Sequence, residues 1–441
     1  MRNTSCFRDF VRYSSLNVLG MLGLSCYILA DTFFVSKGLG TNGLAALNLA
    51  IPIYSFIHGT GLMIGMGAGT KFSIQRSRNH SSTINHIFTN AIYFAAFFAL
   101  LFVAVGLFFS DIVVRYLGAD GSVYAMTRTY IKVILLFAPA FLLNNVLLCF
   151  VRNDGAPQLS MAAMIGGSMS NIVLDYVFIF PCKMGIFGAV FATGLAPIIS
   201  MIILSPHFLR KRNHFHLSKS RVSIKLLGDI FSCGVPSLIT ELSSGIVIIV
   251  FNGIILSLQG NVGVAAYGVI ANLSLVVVAI YTGIAQGIQP LISSSYGAGK
   301  LNNVHSVLKY ALITMLIISG IVVAGVCLGA YPIAAIFNSE QNELLQTIAM
   351  QGLRLYFFAC PFVGFNVIIS VYFTSTEYAR PAHVLSLMRG FIVIIPMALV
   401  LSKLMGMTGV WCAFPATEFM VAVMGIVFFS LSRNSRKRPI K

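Results

Sequence analysis

Apolar runs of roughly 20 residues or more recur about twelve times along the 441-residue chain, parted by short polar connections. They lie near 14–36, 43–70, 84–109, 122–150, 158–180, 186–208, 228–257, 263–296, 304–329, 343–374, 382–401 and 407–431. Runs of this length match the thickness of a bilayer, where a helix satisfies its own backbone hydrogen bonds. With 57% hydrophobic and only 9% charged residues, the chain has too few charges to cover a soluble protein of its size. The expected fold is an all-α polytopic membrane protein with twelve transmembrane helices, several long enough to tilt.

A formal charge of +17 is compatible with a nucleic-acid partner, but its distribution points elsewhere. Arg2, Arg8 and Arg12, then Lys71, Arg76 and Arg78, fall on one side of the membrane. So do Arg210, Lys211, Arg212, Lys219, Arg221 and Lys225, and the tail residues Arg433, Arg436, Lys437, Arg438 and Lys441. Only Lys37, Arg115, Lys183 and Lys403 fall in loops on the other side. Basic residues concentrate on cytoplasmic loops, so both termini are expected inside, in a multi-pass protein of the cell inner (plasma) membrane with no nucleic-acid partner. No cleavable signal is evident. The eight cysteines are scattered, mostly within spans, without a Cys-x-x-Cys, and read as packing residues. The run "GMGAG" (65–69) lacks the strand–turn–helix setting of a phosphate loop and reads as close helix packing. With no Walker motif, ATP is not expected to drive the protein.

The chain repeats itself. "APAFLLNN" (138–145) aligns with "CPFVGFNV" (360–367), bringing Pro139 to Pro361 and Asn144 to Asn366. "GLMIG" (61–65) meets "GIAQG" (283–287), and "MGIFGAVFA" (184–192) meets "MGMTGVWCA" (405–413). The offsets, 221–222 residues, indicate two six-helix repeats in the same orientation, a plan that sets a cleft between two bundles. The expected division is an N-lobe over 1–208 (helices 1–6), a cytoplasmic linker at 209–227, a C-lobe over 228–431 (helices 7–12) and a basic tail at 432–441. Prolines 52, 139, 197, 236, 290, 361, 396 and 415 are expected inside helices, where each removes a backbone donor.

Four acids, Asp31, Asp175, Glu241 and Glu418, lie well within spans, where an ionisable group is costly and usually functional. Asp31 precedes the turn expected near Lys37 by six residues, Asp175 precedes Pro181 by six, and Thr193 follows Gly185 by eight. All three should lie roughly 9–12 Å below the ends of their helices. Asn171 shares the face of Asp175, one turn away. Two carboxylates, an amide and a hydroxyl at one level suit a hard monovalent cation or a proton. A structural hydrogen-bonded knot is the competing reading. Asp31 aligns with Asn252 and Asp175 with Pro396, so the second half lacks both acids, which favours function over scaffolding. Glu241, with Asn252, marks a second coupling or substrate position, whereas Glu418 reads as structural.

These motifs resemble the multidrug and toxic compound extrusion (MATE) family: "ADTFFVSKGLGTNGLAALNLAIPI" (30–53), "NIVLDYVFI" (171–179), "GIFGAVFAT" (185–193), "AAYGV" (265–269), "PLISSSYGAGK" (290–300) and "GVWCAFP" (409–415). The resemblance implies a V-shaped pair of lobes exporting amphipathic, mainly cationic drugs against Na⁺ or H⁺. It implies coupling at Asp31, Asn171, Asp175 and Thr193, with Glu241 matching a helix-seven glutamate used in other branches. No acid lies in the interior of the tenth span, and no proline in the inner half of the first, as some relatives have. The neutral oxygens of Asn171 and Thr193 tip the expected ion toward Na⁺. No other cofactor is expected, and a monomer is. The alternative is a lipid-linked oligosaccharide flippase of the same superfamily, for which few residues, chiefly Arg128, Lys132, Arg354 and Arg389, offer charges. An enzyme is not expected, since no nucleophile–base pair falls within the spans.

Overall fold

The computed structural model describes residues 2–338 and 341–436, helical apart from short connections; positions 437–441 of the basic tail lie outside the described residues. Among the described residues, eight helices are long and apolar enough to cross a membrane. Three of them are doubles broken at a glycine: Gly40, Gly260 and Gly406. A further span is a pair, Val123–Leu136 and Ala138–Asn153, bent by 48°. The described residues therefore form the twelve spans that the apolar runs imply. They are α1 (2–39), α2 (41–77), α3 (Ser81–Phe108), α4 (121–153), α5 (Pro157–Ile179), α6 (Gly185–Leu209), α7 (224–259), α8 (261–297), α9 (Leu301–Phe337), α10 (343–375), α11 (379–405) and α12 (407–436).

The duplication is written in the backbone as well as in the letters. Gly40 and Gly260, Asn79 and Gly299, Gly118 and Gln341, Gly155 and Glu377, and Gly185 and Gly406 all have positive φ, and each pair is 220–223 residues apart. That conformation costs an ordinary residue about 1–2 kcal/mol, so its recurrence marks a shared turn geometry. Three prolines expected inside helices stand where a helical segment restarts within its span. Pro139 and Pro361 open segments that restart after the bend at Phe137 and the 3₁₀ turn Phe357–Ala359. Pro396 follows the π-helical turn Met388–Ile392 in α11. At such positions a proline sacrifices no helical hydrogen bond.

Apolar packing divides into two cores, one drawn from residues 35–230 and the other from 251–421 with Phe10. The start of α1 thus crosses over: Phe7 and Phe10 stand 5.2 and 5.8 Å, centroid to centroid, from Tyr310 of α9. The halves meet where α1 and α2 face α7 and α8, and they touch closely at one end only. Gly67 of α2 lies on the backbone of Ile230, and Gly283 of α8 on that of Val18, where a Cβ would collide. Both contacts are on the face that holds the N-terminus and the connection between halves, here the linker face. Toward the far face, Gly253, Gly260 and Gly268 have nothing within 4 Å. The lobes form a V closed at the linker face.

Polar bridges seal that face. Lys71 reaches Glu377 at 2.6 Å and Asp229 at 3.3 Å, and Asn153 donates to Gln289 at 3.0 Å. Residues 213–223 lie against the first half. Phe215 is buried among Phe72, Phe88 and Phe150. Asp154 accepts from the His214 N–H at 3.0 Å, while Asn85, Thr89 and Asn90 of α3 accept from the N–H groups of His216, Ser218 and Ser223.

Candidate functional site

The four residues read as a site do converge. The turn after α1 falls at Gly40, so Asp31 lies nine residues in, about 13 Å at 1.5 Å per residue, slightly deeper than expected. Asp31, Asn171, Asp175 and Thr193 are all buried, the last three on α5 and α6. The two carboxylates are in hydrogen-bonding contact. With the Asn171 amide turned so that Nδ2 donates to Asp175 Oδ2 at 3.0 Å, its Oδ1 accepts from the Thr193 N–H at 3.2 Å. The Thr193 hydroxyl donates to the Ala189 carbonyl at 3.1 Å.

Asp31 Oδ1 and Asp175 Oδ1 are buried without a partner, and no Lys or Arg forms an ion pair with either carboxylate among the described residues. Two touching carboxylates in low dielectric cannot both be ionised without a cation between them. One shared proton satisfies the pair, and so does a small monovalent ion held by the two orphaned oxygens. No group of three or more His, Cys, Asp or Glu that could hold a metal ion is found among the described residues.

One turn before Asp31, the Tyr27 hydroxyl lies 2.6 Å from that of Tyr54. Tyr54 stacks on His58, with centroids 5.7 Å apart and planes at 9°, and Asn145 Nδ2 lies 3.3 Å from His58 Nδ1. These residues and Thr193 line a cavity of about 80 Å³ that runs through the first half to Arg152 and ends against Gln286 of α8. Most of its wall is apolar, contributed by side chains such as Met21, Leu24 and Phe141. The wall offers flat aromatic surface and a few fixed polar groups.

The remaining candidates stay apart. Glu241 is half-buried on α7, its Cβ facing Gly59 across the seam between the halves. Asn252 is half-buried further along α7 and joins none of the other candidates. Glu418 is buried and fully engaged: Arg389 donates to Oε1 from Nε at 3.0 Å and from NH2 at 2.8 Å, and Asn366 donates to Oε2 at 2.6 Å. It ties α10, α11 and α12 together, through a partner that the sequence did not suggest. Of the other basic residues considered for a pyrophosphate, Arg128 pairs with Asp111 and Arg354 is exposed. Arg152 was missed altogether, because "RND" (152–154) looks like a loop flank. In the structure all three residues are buried.

The MatE family profile matches residues 18–177 and 236–400. The multidrug export protein MepA of Staphylococcus saprophyticus is 24% identical over 433 residues, covering 98% of this chain and 95% of that protein. MepA of Staphylococcus aureus (strain MSSA476) is 25% identical, with 97% and 94% covered. Among solved structures, a MATE transporter in complex with MaL6 superposes with a TM-score of 0.91 at 24% identity, covering 97% of this chain and 96% of the other. An outward-facing MATE-family multidrug resistance transporter gives 0.89 at 23%, with 97% and 96% covered. At these identities the superpositions establish the fold.

Proposed function

The chain belongs to the MatE family, the multidrug and toxic compound extrusion transporters, and from that premise we propose that it exports amphipathic, mainly cationic organic compounds in exchange for an inward-moving cation. It is a membrane transporter and not an enzyme. The observation that carries the proposal is the contact between Asp31 and Asp175, buried and without a basic partner. This pair adjoins the aromatic cavity through Tyr27 and Thr193. While the pair is charged it attracts a cationic substrate in the cavity. A cation arriving at the pair cancels that attraction, so uptake of one favours release of the other. The V closed at the linker face fits a state that releases substrate outward, with the linker face cytoplasmic in the inner membrane and the chain acting as a monomer.

The coupling ion proposed is the proton. The neutral oxygens of Asn171 and Thr193 point to Na⁺, but Asn171 Oδ1 already accepts from the Thr193 N–H with one lone pair, and two carboxylates in contact share a proton readily. Na⁺ at the same four residues is the second reading, favoured by the unpartnered oxygens of Asp31 and Asp175. Ethidium efflux from cells, with Na⁺ and pH gradients imposed separately, tests both. Efflux that follows the pH gradient and ignores Na⁺ supports the proton; efflux that needs Na⁺ at every pH removes it. A cysteine in place of the exposed Lys219, in a background without native cysteines, should escape an impermeant thiol reagent added outside.

A further inference from the structure

Three polar rungs cross the seam between the halves at the linker face, at different depths. Nearest the surface, Lys71 of α2 is held by Asp229 and Glu377 of the second half. Deeper, Asn153 donates to Gln289 Oε1, and Gln289 Nε2 donates to Thr70 at 3.1 Å. Deepest is Arg152, 1% exposed, whose NH1 donates across the seam to Gln286 Oε1 and to Asn17 Oδ1 of α1, each at 2.9 Å. Counted from the ends of α2 and α8, Lys71, Gln289 and Gln286 lie about 9, 12 and 16 Å in. The deepest rung is out of balance. A guanidinium keeps its charge in proteins, yet every acceptor Arg152 has is neutral. NH2 meets only the sulfurs of Met66 and Cys149, each at 3.4 Å, and Nε has no partner. Among the described residues no carboxylate forms an ion pair with it. Two amide oxygens do not replace the water around such a cation, so the closed seam traps an under-solvated charge. The outer rung has the opposite character. Glu377 reaches Lys71 from a left-handed backbone, φ 58°, where the first half has Gly155 at φ 94°. A side chain is strained in that conformation, and here the strained residue supplies half of the grip on Lys71.

We propose that these two rungs oppose each other: Arg152 is a spring that drives the linker face open, and Lys71 with Asp229 and Glu377 is the latch that holds it shut. Parting the halves withdraws only neutral acceptors from Arg152 and lets water reach NH2 and Nε, so opening relieves the trapped charge. The same movement separates Lys71 from both of its carboxylates, so opening costs the latch its ion pairs. The middle rung is neutral and takes no side. The charge on Arg152, not its hydrogen bonds, sets how readily the seam parts. This role requires no contact with Asp31, Asp175 or a transported molecule, and it holds whichever ion drives the protein.

Hydrogen–deuterium exchange of the purified full chain tests this, with Tm in detergent measured alongside. Exchange at the inner ends of α2 (66–77) and α8 (286–297) reports opening at the linker face. Arg152→Gln keeps an N–H donor and drops the charge, and should slow exchange at both inner ends about fivefold or more. Arg152→Lys keeps the charge and should stay within about twofold of the wild type. Met66→Glu sets a carboxylate at NH2 without altering Asn17 or Gln286, and should slow exchange as well. Lys71→Met and Glu377→Gly should do the reverse, speeding inner-end exchange about threefold, the scale of a part-exposed ion pair. Glu377→Gly should do so without loss of Tm, because glycine suits its backbone. If Arg152 were only a tie between the halves, Arg152→Gln would loosen the seam. Faster or unchanged inner-end exchange in whichever of Arg152→Gln and Met66→Glu folds therefore overturns the proposal. So does a slowing that Arg152→Lys reproduces, which would assign the effect to shape. Unchanged exchange in both Lys71→Met and Glu377→Gly overturns the latch.

Discussion

The two halves repeat the same turns but bury their carboxylates in opposite ways. In the first half, Asp31 and Asp175 touch each other, keep two orphaned oxygens and have no basic partner. In the second, Glu418 is matched by Arg389 and Asn366, with both oxygens used. At an offset of 221–222 residues, Arg389 and Glu418 correspond to Gly167 or Ser168 and to Pro197 or Ala196, all of which line the cavity of the first half. Where one half has an ion pair, the other has space. The contrast shows that the duplicated frame does not dictate the chemistry. A neutralised acid holds helices together, while an unbalanced acid pair still lacks its counter-charge.

The sharpest way to break the comparison is to remove charge from each half in turn. Asp175→Asn should cut coupled ethidium efflux about 100-fold with normal membrane insertion, since a charge-assisted contact of roughly 3 kcal/mol is lost. Asp31→Asn should do the same. Glu418→Gln should act differently, stranding Arg389 and lowering stability by about 3 kcal/mol, seen as a lower Tm in detergent. The double variant Glu418→Gln/Arg389→Met should recover most of that Tm. If Glu418→Gln instead abolishes transport at unchanged Tm, the second half holds a working site and the contrast fails. Thr193→Val should reduce efflux about fivefold, the worth of one neutral hydrogen bond, and more strongly under a Na⁺ gradient than a pH gradient if Na⁺ uses the site. Asn252→Ala, at the position aligned with Asp31, should stay within about threefold of wild type, as a half-buried polar residue outside any network would. A loss equal to that of Asp31→Asn would end the claim of asymmetry.

Much of this was legible in the letters, for identifiable reasons. Span number follows from run length, and the repeat from matched prolines and glycines, because both are local properties. Asp31, Asn171, Asp175 and Thr193 could be grouped by counting residues from helix ends, since helical rise turns sequence distance into depth. Arg389 and Glu418 could not be paired that way: they lie 29 residues apart on antiparallel helices, and only packing decides which faces meet. Arg152 was hidden by the same topological rule that gave the orientation, because a basic residue at a helix end normally belongs to the solvent. The turn at Gly40 in place of Lys37 was a matter of backbone conformation, which a basic residue in an expected loop does not reveal.

The connection between the halves has a mechanical consequence. Its backbone is tied to α3 as far as Ser223, and α7 starts at Ile224, so no slack chain separates the last tie from the first helical turn. The same Ser223 also caps that turn, its hydroxyl accepting from the Leu226 N–H at 3.3 Å. While these ties hold, the second bundle cannot slide away from the first; it can only swing about the root of α7, as a door does on its pin. The segment should consequently resist trypsin despite Arg210, Lys211, Arg212, Lys219 and Arg221, and cutting it should free the swing of its axis without removing any residue that touches the cargo.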